Sequence, residues 1–258
     1  MVIIGIVGSP RKNMRTNMLV DAALDGAKSR DAKTEKVYLT DYRIKTFTGQ
    51  GGSEEAFTYS PEDLSKLCEE ADAIVLGAPV YWGDINGLTK DFMDTVRLRN
   101  PSSNGKPALG IAIAGGTGKG LLSGIQSIYH FFFHKQMLGI DPTPVSRFNL
   151  EEALKELRKS GARLADLSKE KKPFTGETAD DRWPEVLTYY SSLPYLNCDP
   201  LDEFIMLAEQ LIKISKADKV EKLKAKEEFE KATALIAEGK RAEASRHAVK
   251  SYQILYFS

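Results

Sequence analysis

The 258 residues are enough for one substantial domain with an appendage, or for two small domains. Hydrophobic residues make up 42% of the chain and charged residues 28%, which argues against a disordered or fibrous protein. The 36 Lys and Arg residues balance the 36 Asp and Glu residues, so no nucleic acid or membrane partner is expected, and small molecules or proteins are favoured.

The cysteines and the amino terminus bear on the compartment. Only two cysteines occur, Cys68 and Cys198, and they form neither a CxxC pair nor a cluster with ligand spacing. The chain enters a strand-like run at Val2 without a basic segment and a long apolar core, so no secretory signal is expected. No apolar run approaches the ~20 residues of a membrane span. We therefore expect a cytoplasmic protein.

Strand and helix patterns alternate through the first two-thirds of the chain. In chain order we predict a strand at 2–7, a helix capped by Thr16 or Asn17, a strand at 37–39, a helix at 60–70, a strand at 73–78 stopped by Pro79, a helix at 88–96, a strand at 108–114, a helix at 121–137, a strand at 141–146 and a helix from Asn149 across Gly161. This alternation is typical of an α/β domain whose parallel sheet is covered on both faces.

The texture changes after residue 172, and we divide the chain into a domain at 1–172 and a mainly helical extension at 173–258. Residues 174–200 are rich in Pro and Tyr, and helices are predicted from Leu201, at 220–237 and up to Tyr256. The last two resemble a single tetratricopeptide-type hairpin, but one copy cannot form a stable stack. The alternative is that these helices pack on the main domain or on a second subunit. The 201–212 face is too apolar to leave in water, which predicts a homo-oligomer formed through the helical extension.

Three loops should meet at one edge of the sheet, because ligands of open parallel sheets bind beyond the carboxyl ends of the strands, where strand order reverses. They are the first loop at 8–17, the second at 77–90 and the third at 114–120. The first loop combines hydroxyls and side-chain amides with the N–H groups of a helix terminus, which favours a phosphate. An ordinary capped turn is the alternative.

The second and third loops suit a flat ring. Tyr81 and Trp82 offer an aromatic wall and the backbone offers N–H donors, although a core or interface pair of aromatics is the alternative. The glycines of the third loop allow close approach of a ligand, or form a plain turn. This loop is not an ATP-binding P-loop, because Ile113 replaces the first glycine of that motif and Gly120 its Ser or Thr.

The run from Gly8 to Thr16 resembles the G-S-P-R-x-x-x-x-T phosphate loop of the flavodoxin-like NADPH-dependent FMN reductases and iron–sulfur flavoproteins, although Met14 and Arg15 replace the small residues often found there. The second loop resembles the G-x-P-V-Y-W/F-G segment of the same group. The resemblance implies a doubly wound, five-stranded parallel sheet of order 2-1-3-4-5 with FMN at its switch point. It also implies that FMN is bound by Ser9, Arg11, Asn13, Thr16 and Asn17 at the phosphate, and by Pro79, Val80, Tyr81, Trp82, Gly83, Gly115, Gly116 and Thr117 at the ring.

Metal chemistry receives little support from the sequence. Iron–sulfur relatives carry a cysteine cluster after the second strand, and residues 44–52 contain no cysteine, so we expect a flavin-only protein. His130 and His134 have a spacing that can chelate a metal, but three phenylalanines lie between them and no acidic residue is near, which favours packing. No metal site is expected.

The leading hypothesis is an FMN-dependent oxidoreductase that passes hydride from NAD(P)H, through bound FMN, to a flavin, quinone or similar acceptor. No side chain is then needed as a catalytic acid or base, because the cofactor performs the chemistry. Two rivals stay open. One is a flavodoxin-like electron carrier that serves a protein partner, and the other is a scaffold whose helical extension binds partners.

Overall fold

The computed structural model describes residues 1–49, 60–99 and 101–258. Strands and helices alternate up to Glu170, and helices follow. The strands are β1 (Val2–Val7), β2 (Lys33–Tyr38), β3 (Ala73–Tyr81), β4 (Asp84–Ile85), β5 (Pro107–Ala114) and β6 (Leu138–Ser146). The helices are α1 (Arg15–Lys28), α2 (Glu62–Glu70), α3 (Gly87–Thr95), α4 (Leu121–His134), α5 (Leu150–Glu170), α6 (Ala179–Ser191), α7 (Pro200–Ile214), α8 (Lys219–Ala237) and α9 (Arg241–Tyr256).

The five long strands form a parallel sheet in the order β2-β1-β3-β5-β6, and the short β4 pairs with β3 in the antiparallel sense. Without β4 this is the predicted flavodoxin-like order 2-1-3-4-5, and the fold class is confirmed. Helices α1 and α5 cover one face of the sheet, and α2, α3, α4 and α6 pack on the other. All eight residues of β5 are buried, as expected for a strand between two helical layers.

Strand β3 was predicted to stop at Pro79, but it runs on to Tyr81. Gly8 N donates to Gly77 O at 2.8 Å, so Gly77 faces β1. Pro79 lies two residues further along and faces the same side, where β1 has already ended. Its missing N–H therefore costs no ladder hydrogen bond, and its carbonyl accepts from Asn86 N at 3.0 Å.

The two edge strands are longer than predicted. β2 begins at Lys33 rather than at residue 37. The sequence did not indicate this start, because exposed Lys33 and Glu35 interrupt the apolar pattern that marks a buried strand. β6 is a full strand of nine residues that contains Pro142 and Pro144. An edge strand can hold prolines with their nitrogens on its unpaired side.

Helix α1 begins one or two residues before the predicted caps. Its N-cap residue is Met14, which makes no side-chain capping hydrogen bond. Thr16 and Asn17 lie inside the first turn, and the amide of Asn17 donates to Asp21 instead, at 2.9 Å. The end of α1 that faces the sheet edge is consequently left without a side-chain cap.

The segment rich in Pro and Tyr, to which no element was assigned, contains helix α6. Thr178 and Asp181 form a capping box at its start. Tyr190 of α6 is buried, and its hydroxyl donates to Met137 O at 2.8 Å. This part of the chain therefore packs on the sheet domain as a further helix of its layer.

Helices α7, α8 and α9, which we call the C-terminal bundle, pack on one another and on Phe148 of the sheet domain. Most of the apolar α7 face that predicted self-association is covered inside the chain. Of that face, Leu201, Ala208 and Leu211 are each less than a tenth exposed, and Phe204, Ile205 and Ile212 are partly buried within the bundle. Small side chains close the α8–α9 contact, namely Ala225, Ala232, Ala244 and Ala248.

Among residues 1–49, 60–99 and 101–258, no helix is both long enough and apolar enough to cross a membrane.

Candidate functional site

The loops after β1, β3 and β5 line one cleft of about 660 Å³ at the carboxyl edge of the sheet. Ten of the thirteen predicted site residues line it: Ser9, Arg11, Thr16, Pro79, Val80, Tyr81, Trp82, Gly115, Gly116 and Thr117. Sequence reasoning did not assign five further lining residues, which are Met14, Arg15, Ile113, Ala114 and Lys119. The cleft lies at the point where strand order reverses between β1 and β3, as in other open parallel sheets.

The first loop presents an uncapped helix terminus to the cleft. The first N–H groups of any α-helix lack partners within the helix, and no side chain satisfies them at Met14. Thr16 lines the cleft in the first turn of α1. The guanidinium groups of Arg11 and Arg15 have no ion-pair partner in the part of the chain that the structure describes. Positive charge and free donors therefore converge where an anion is favoured.

Ser9 shapes this loop from within. Its hydroxyl donates to Arg11 O at 3.0 Å and accepts from Arg11 N at 3.2 Å, which bends the chain sharply after β1. The side chain is 3% exposed. The bend brings the Arg11 side chain to the cleft while Ser9 lines its floor.

Asn13 and Asn17, which were predicted to hold a phosphate, do not line the cleft. The amide oxygen of Asn17 accepts from Lys36 Nζ at 2.8 Å and from Tyr38 Oη at 2.6 Å. Asn13 accepts from the same tyrosine hydroxyl at 3.3 Å. Both side chains tie α1 and its loop to β2, which a sequence pattern cannot reveal because the partners belong to another strand.

The second loop ends β3 in a two-residue hairpin. Tyr81 pairs with Asp84, and both Trp82 and Gly83 between them have positive φ, 55° and 93°. This is the type I′ geometry of tight hairpins. A tryptophan in the left-handed region is strained, and strain of this kind is concentrated at functional sites. Trp82 is fully exposed at the mouth of the cleft, and Tyr81 is 39% exposed.

Gly83, which was also predicted for the ring, does not line the cleft and contacts the third loop instead. A methyl group added to Gly120 would lie 2.3 Å from the Cα atom of Gly83. The two loops are therefore in backbone contact, which glycine alone allows. In contrast, a methyl group on Gly115 or Gly116 would meet nothing within 4 Å, so the third loop presents bare backbone to the cleft.

A buried network locks the first loop to the second. Asn86 Nδ2 donates to Gly8 O at 2.9 Å, and Thr89 Oγ1 donates to Asn86 Oδ1 at 2.7 Å. A methyl group on Gly8 would stand 2.0 Å from Thr89 Oγ1. The sequence resemblance covers these positions, but their role as a lock is visible only in the contacts.

Among the described residues, no cysteine, histidine or carboxylate lines the cleft. No cluster of His, Cys, Asp and Glu residues able to hold a metal occurs among residues 1–49, 60–99 and 101–258. Burial raises the pKa of the Cys68 thiol to about 12, which leaves it unreactive. The ring of His134 packs on those of Phe133 and Trp183, in agreement with a packing role. The segment predicted to lack cluster cysteines extends beyond the described residues, from residue 50 on.

The donor set of the cleft fits FMN. The uncapped terminus of α1, with Arg11 and Arg15, suits a phosphate dianion. The bare backbone of Gly115 and Gly116 leaves room for a flat ring, and Tyr81 and Trp82 offer aromatic surface beside it. The cleft therefore has a cationic end and a flat, partly aromatic end, as a phosphorylated flavin requires.

Comparison with known proteins agrees with this geometry. The sequence model of the NADPH-dependent FMN reductase family matches residues 1–150. An iron–sulfur flavoprotein of Methanocaldococcus jannaschii is 32% identical over 152 residues, which cover 55% of this chain and 79% of that protein. One from Archaeoglobus fulgidus is 32% identical over 125 residues, which cover 46% of this chain and 57% of its own length.

Solved structures agree on the fold. A flavone reductase superposes with a TM-score of 0.50 and 17% identity, over 69% of this chain and 67% of its own. An oxidoreductase from Corynebacterium diphtheriae gives 0.50 and 14%, over 66% of this chain and 98% of its own. At these identities the likeness concerns the fold alone. Neither the family match nor these superpositions span the whole chain.

Proposed function

This chain belongs to the NADPH-dependent FMN reductase family, and we propose that it is an FMN-dependent oxidoreductase that passes hydride from NAD(P)H to a flavin, quinone or similar acceptor. The observation that carries the proposal is the cleft in which an uncapped helix terminus and two unpaired arginines face a glycine-lined, partly aromatic wall. Both the donor and the acceptor of hydride would be small molecules.

Each lining residue has a proposed task. Arg11 and Thr16, with the N–H groups of α1, bind the phosphate, and Arg15 adds positive charge there. Ser9 joins them by turning its hydroxyl proton from Arg11 O to a phosphate oxygen. Pro79 to Trp82 and Gly115 to Thr117 hold the two sides of the ring. FMN supplies the hydride chemistry when it is bound, accepting hydride at its ring and giving it to the acceptor. The protein orients the ring, and one face of the ring stays open to the reactants.

No residue is proposed as a catalytic acid or base. In the described part of the chain, the polar side chains that line the cleft are hydroxyls, two arginines and Lys119, without a carboxylate, imidazole or thiol. Arginines and aliphatic hydroxyls bind and polarise ligands but do not carry protons near neutral pH, and we assign no proton transfer to Tyr81 or Lys119. Hydride transfer between two cofactors needs no such group.

Although its curated relatives are named iron–sulfur flavoproteins, we propose that this chain works with flavin alone. A [4Fe–4S] cluster needs four thiolate ligands, and the chain has two cysteines. Cys68 is a buried residue of α2, with its pKa raised by burial, and Cys198 lies in the turn before α7. The two cannot assemble a cluster site at the cleft.

The rival function is a flavodoxin-like electron carrier that serves a protein partner. Fully exposed Trp82 at the mouth of the cleft could contact such a partner as readily as a small acceptor. Stopped-flow mixing of the flavin-loaded protein with NADH and with NADPH separates the two functions. We expect one nucleotide to bleach the flavin within the turnover time with a quinone acceptor. If both nucleotides bleach the flavin only slowly and no quinone is turned over, the protein is a carrier.

A further inference from the structure

The amino terminus of α4, at the end of the third loop, is capped by a residue of the C-terminal bundle. Glu203 lies in the first turn of α7 and is 7% exposed. Its Oε1 atom accepts from Gly120 N and its Oε2 atom from Leu122 N, both at 2.8 Å. Gly120 itself has no side chain with which to cap the helix, so a carboxylate about eighty residues away satisfies donors that would otherwise be unpaired.

The third loop is held by the bundle at three further points. Tyr252 of α9 donates its hydroxyl to Thr117 O at 2.8 Å. Burial raises the pKa of Tyr252 to about 12, so this hydroxyl remains a donor over the working pH range. A methyl group on Gly118 would lie 2.7 Å from Leu207 Cδ2, which shows how closely α7 approaches. Lys119 Nζ stands 5.2 Å from the ring centre of Phe204.

From these contacts we infer that the C-terminal bundle sets the conformation and charge of the third loop, and that Glu203 and Tyr252 are positioning residues for FMN. This rests on the proposed function, because it takes the cleft as the flavin site. Gly115, Gly116 and Thr117 line the cleft, and the bundle holds Thr117 itself and the residues that immediately follow it. The bundle lies outside residues 1–150, so family membership does not supply this role.

The charge of Glu203 gives the inference a direction. A helix amino terminus carries a partial positive charge of about half an electron, and a carboxylate bound to it cancels that charge. A flavin ring gains negative charge on reduction, and positive potential beside it favours the reduced form. Glu203 should therefore hold the potential of bound FMN below the value that the bare helix terminus would give.

The experiment uses the full chain with two variants, Glu203→Gln and Tyr252→Phe. Glu203→Gln keeps the shape of the side chain, removes its charge and replaces one of its two acceptor oxygens with an NH2 group, while Tyr252→Phe removes one neutral hydrogen bond. Glu228→Gln is the matched control, because Glu228 binds His247 and Lys250 within the bundle and does not contact the loop. For each protein we would measure the dissociation constant of oxidised FMN and the midpoint potential of bound FMN against a reference dye.

Glu203→Gln should weaken the binding of oxidised FMN about threefold to tenfold and raise the midpoint potential. A tenfold change in the ratio of the oxidised and reduced dissociation constants corresponds to ~30 mV for two electrons. Tyr252→Phe should weaken binding about twofold to fivefold with no change in potential, because no charge is lost. The control should resemble the parent in both quantities.

An unchanged midpoint potential in Glu203→Gln would overturn the electrostatic role of Glu203. An equal effect in the Glu228→Gln control would mean that the changes come from a less stable bundle and not from its contacts with the third loop. Amide hydrogen exchange of Gly120 and Leu122, measured without FMN, separates this inference from the proposed function. Faster exchange in Glu203→Gln supports positioning of the loop by the bundle. Unchanged exchange overturns it, whatever the flavin does. A parent that binds no FMN would instead refute the proposed function and the flavin role of both residues.

Discussion

Gly120 approaches Gly83 so closely that a methyl group on Gly120 would lie 2.3 Å from the Cα atom of Gly83. Two loops that follow different strands therefore touch through their backbones, with no side chain between them. Gly120 also has φ of 82°, which residues with a Cβ atom adopt with strain.

From this contact we predict that Gly120→Ala destabilises the protein by ~2–4 kcal/mol, since overpacking and left-handed strain each cost about 1–3 kcal/mol. Gly87→Ala is the matched control, because a methyl group there meets nothing within 4 Å. Urea unfolding of both variants measures the difference. Equal stability of the two would mean that the loops can separate at no cost.

Thr16→Val should weaken FMN binding about tenfold and leave the stability of the protein almost unchanged. Valine keeps the shape of threonine and removes its hydroxyl, and a hydrogen bond to a charged group contributes ~1.5–3 kcal/mol, where ~1.4 kcal/mol is tenfold in affinity. Titration of the apo-protein followed by flavin fluorescence gives the dissociation constant. Thr188→Val makes the same change on exposed α6 and should bind FMN like the parent. Parent-like affinity in Thr16→Val would remove this hydroxyl from the phosphate site.

The contribution of Glu228 to stability should depend on pH. Hydrogen bonds from His247 and Lys250 lower the pKa of Glu228 from its ordinary 4.5 to about 2. A carboxyl whose pKa is lowered by folding stabilises the fold at pH values above its pKa in the unfolded chain. This stabilisation is lost as the pH falls through ~4.5 towards ~2.

Glu228→Gln should therefore cost ~1–2 kcal/mol at pH 7, the low end for charged hydrogen bonds because His247 and Lys250 are partly in water. The deficit should shrink steadily between pH 4.5 and pH 2 in urea unfolding. Exposed Glu227→Gln serves as the control and should match the parent throughout. A deficit that stays constant with pH would show that packing, and not charge, holds α8 to α9 at this point.

The purified protein should contain FMN but neither iron nor acid-labile sulfide. The chain offers two cysteines, where a cluster needs four thiolates. Metal analysis and sulfide determination on protein purified without oxygen check this, since exposure to air can destroy a cluster. Iron and sulfide in stoichiometric amounts would contradict the flavin-only proposal.

Self-association remains a prediction, and the structure changes the surface on which it depends. The α7 face that motivated it is largely buried within the chain, but Val220 and Leu223 of α8 are 60% and 57% exposed. We expect Leu223→Glu to weaken any homo-oligomer, as measured by sedimentation equilibrium, while Lys224→Glu, the neighbouring exposed position, changes it less. A monomeric parent would contradict the prediction altogether.

The parallel sheet and the place of the cleft could be predicted from the sequence, and the strand order was implied by the family resemblance of the loops. Apolar runs such as Val2–Val7, bounded by turn residues, mark strands that are buried on both faces, and their alternation with helices leaves few topologies. The loop after β1, which we propose to bind the phosphate, resembles the family motif because its glycine, hydroxyl and arginine residues are close together in the chain. Edge strand β2 was mostly missed, because exposure on one side removes the apolar signal.

Only the tertiary structure determined the roles of side chains whose hydrogen-bond partners are distant in the chain. Asn17 was a reasonable phosphate ligand until its neighbours Lys36 and Tyr38 became visible on β2. Glu203 is an unremarkable acidic residue in the first turn of a helix until its carboxylate is found on the amide groups of Gly120 and Leu122. Local periodicity and spacing determine which elements form. Hydrogen bonds between residues far apart in sequence are determined by how those elements pack, and that packing divides the polar residues between the cleft and the framework that supports it.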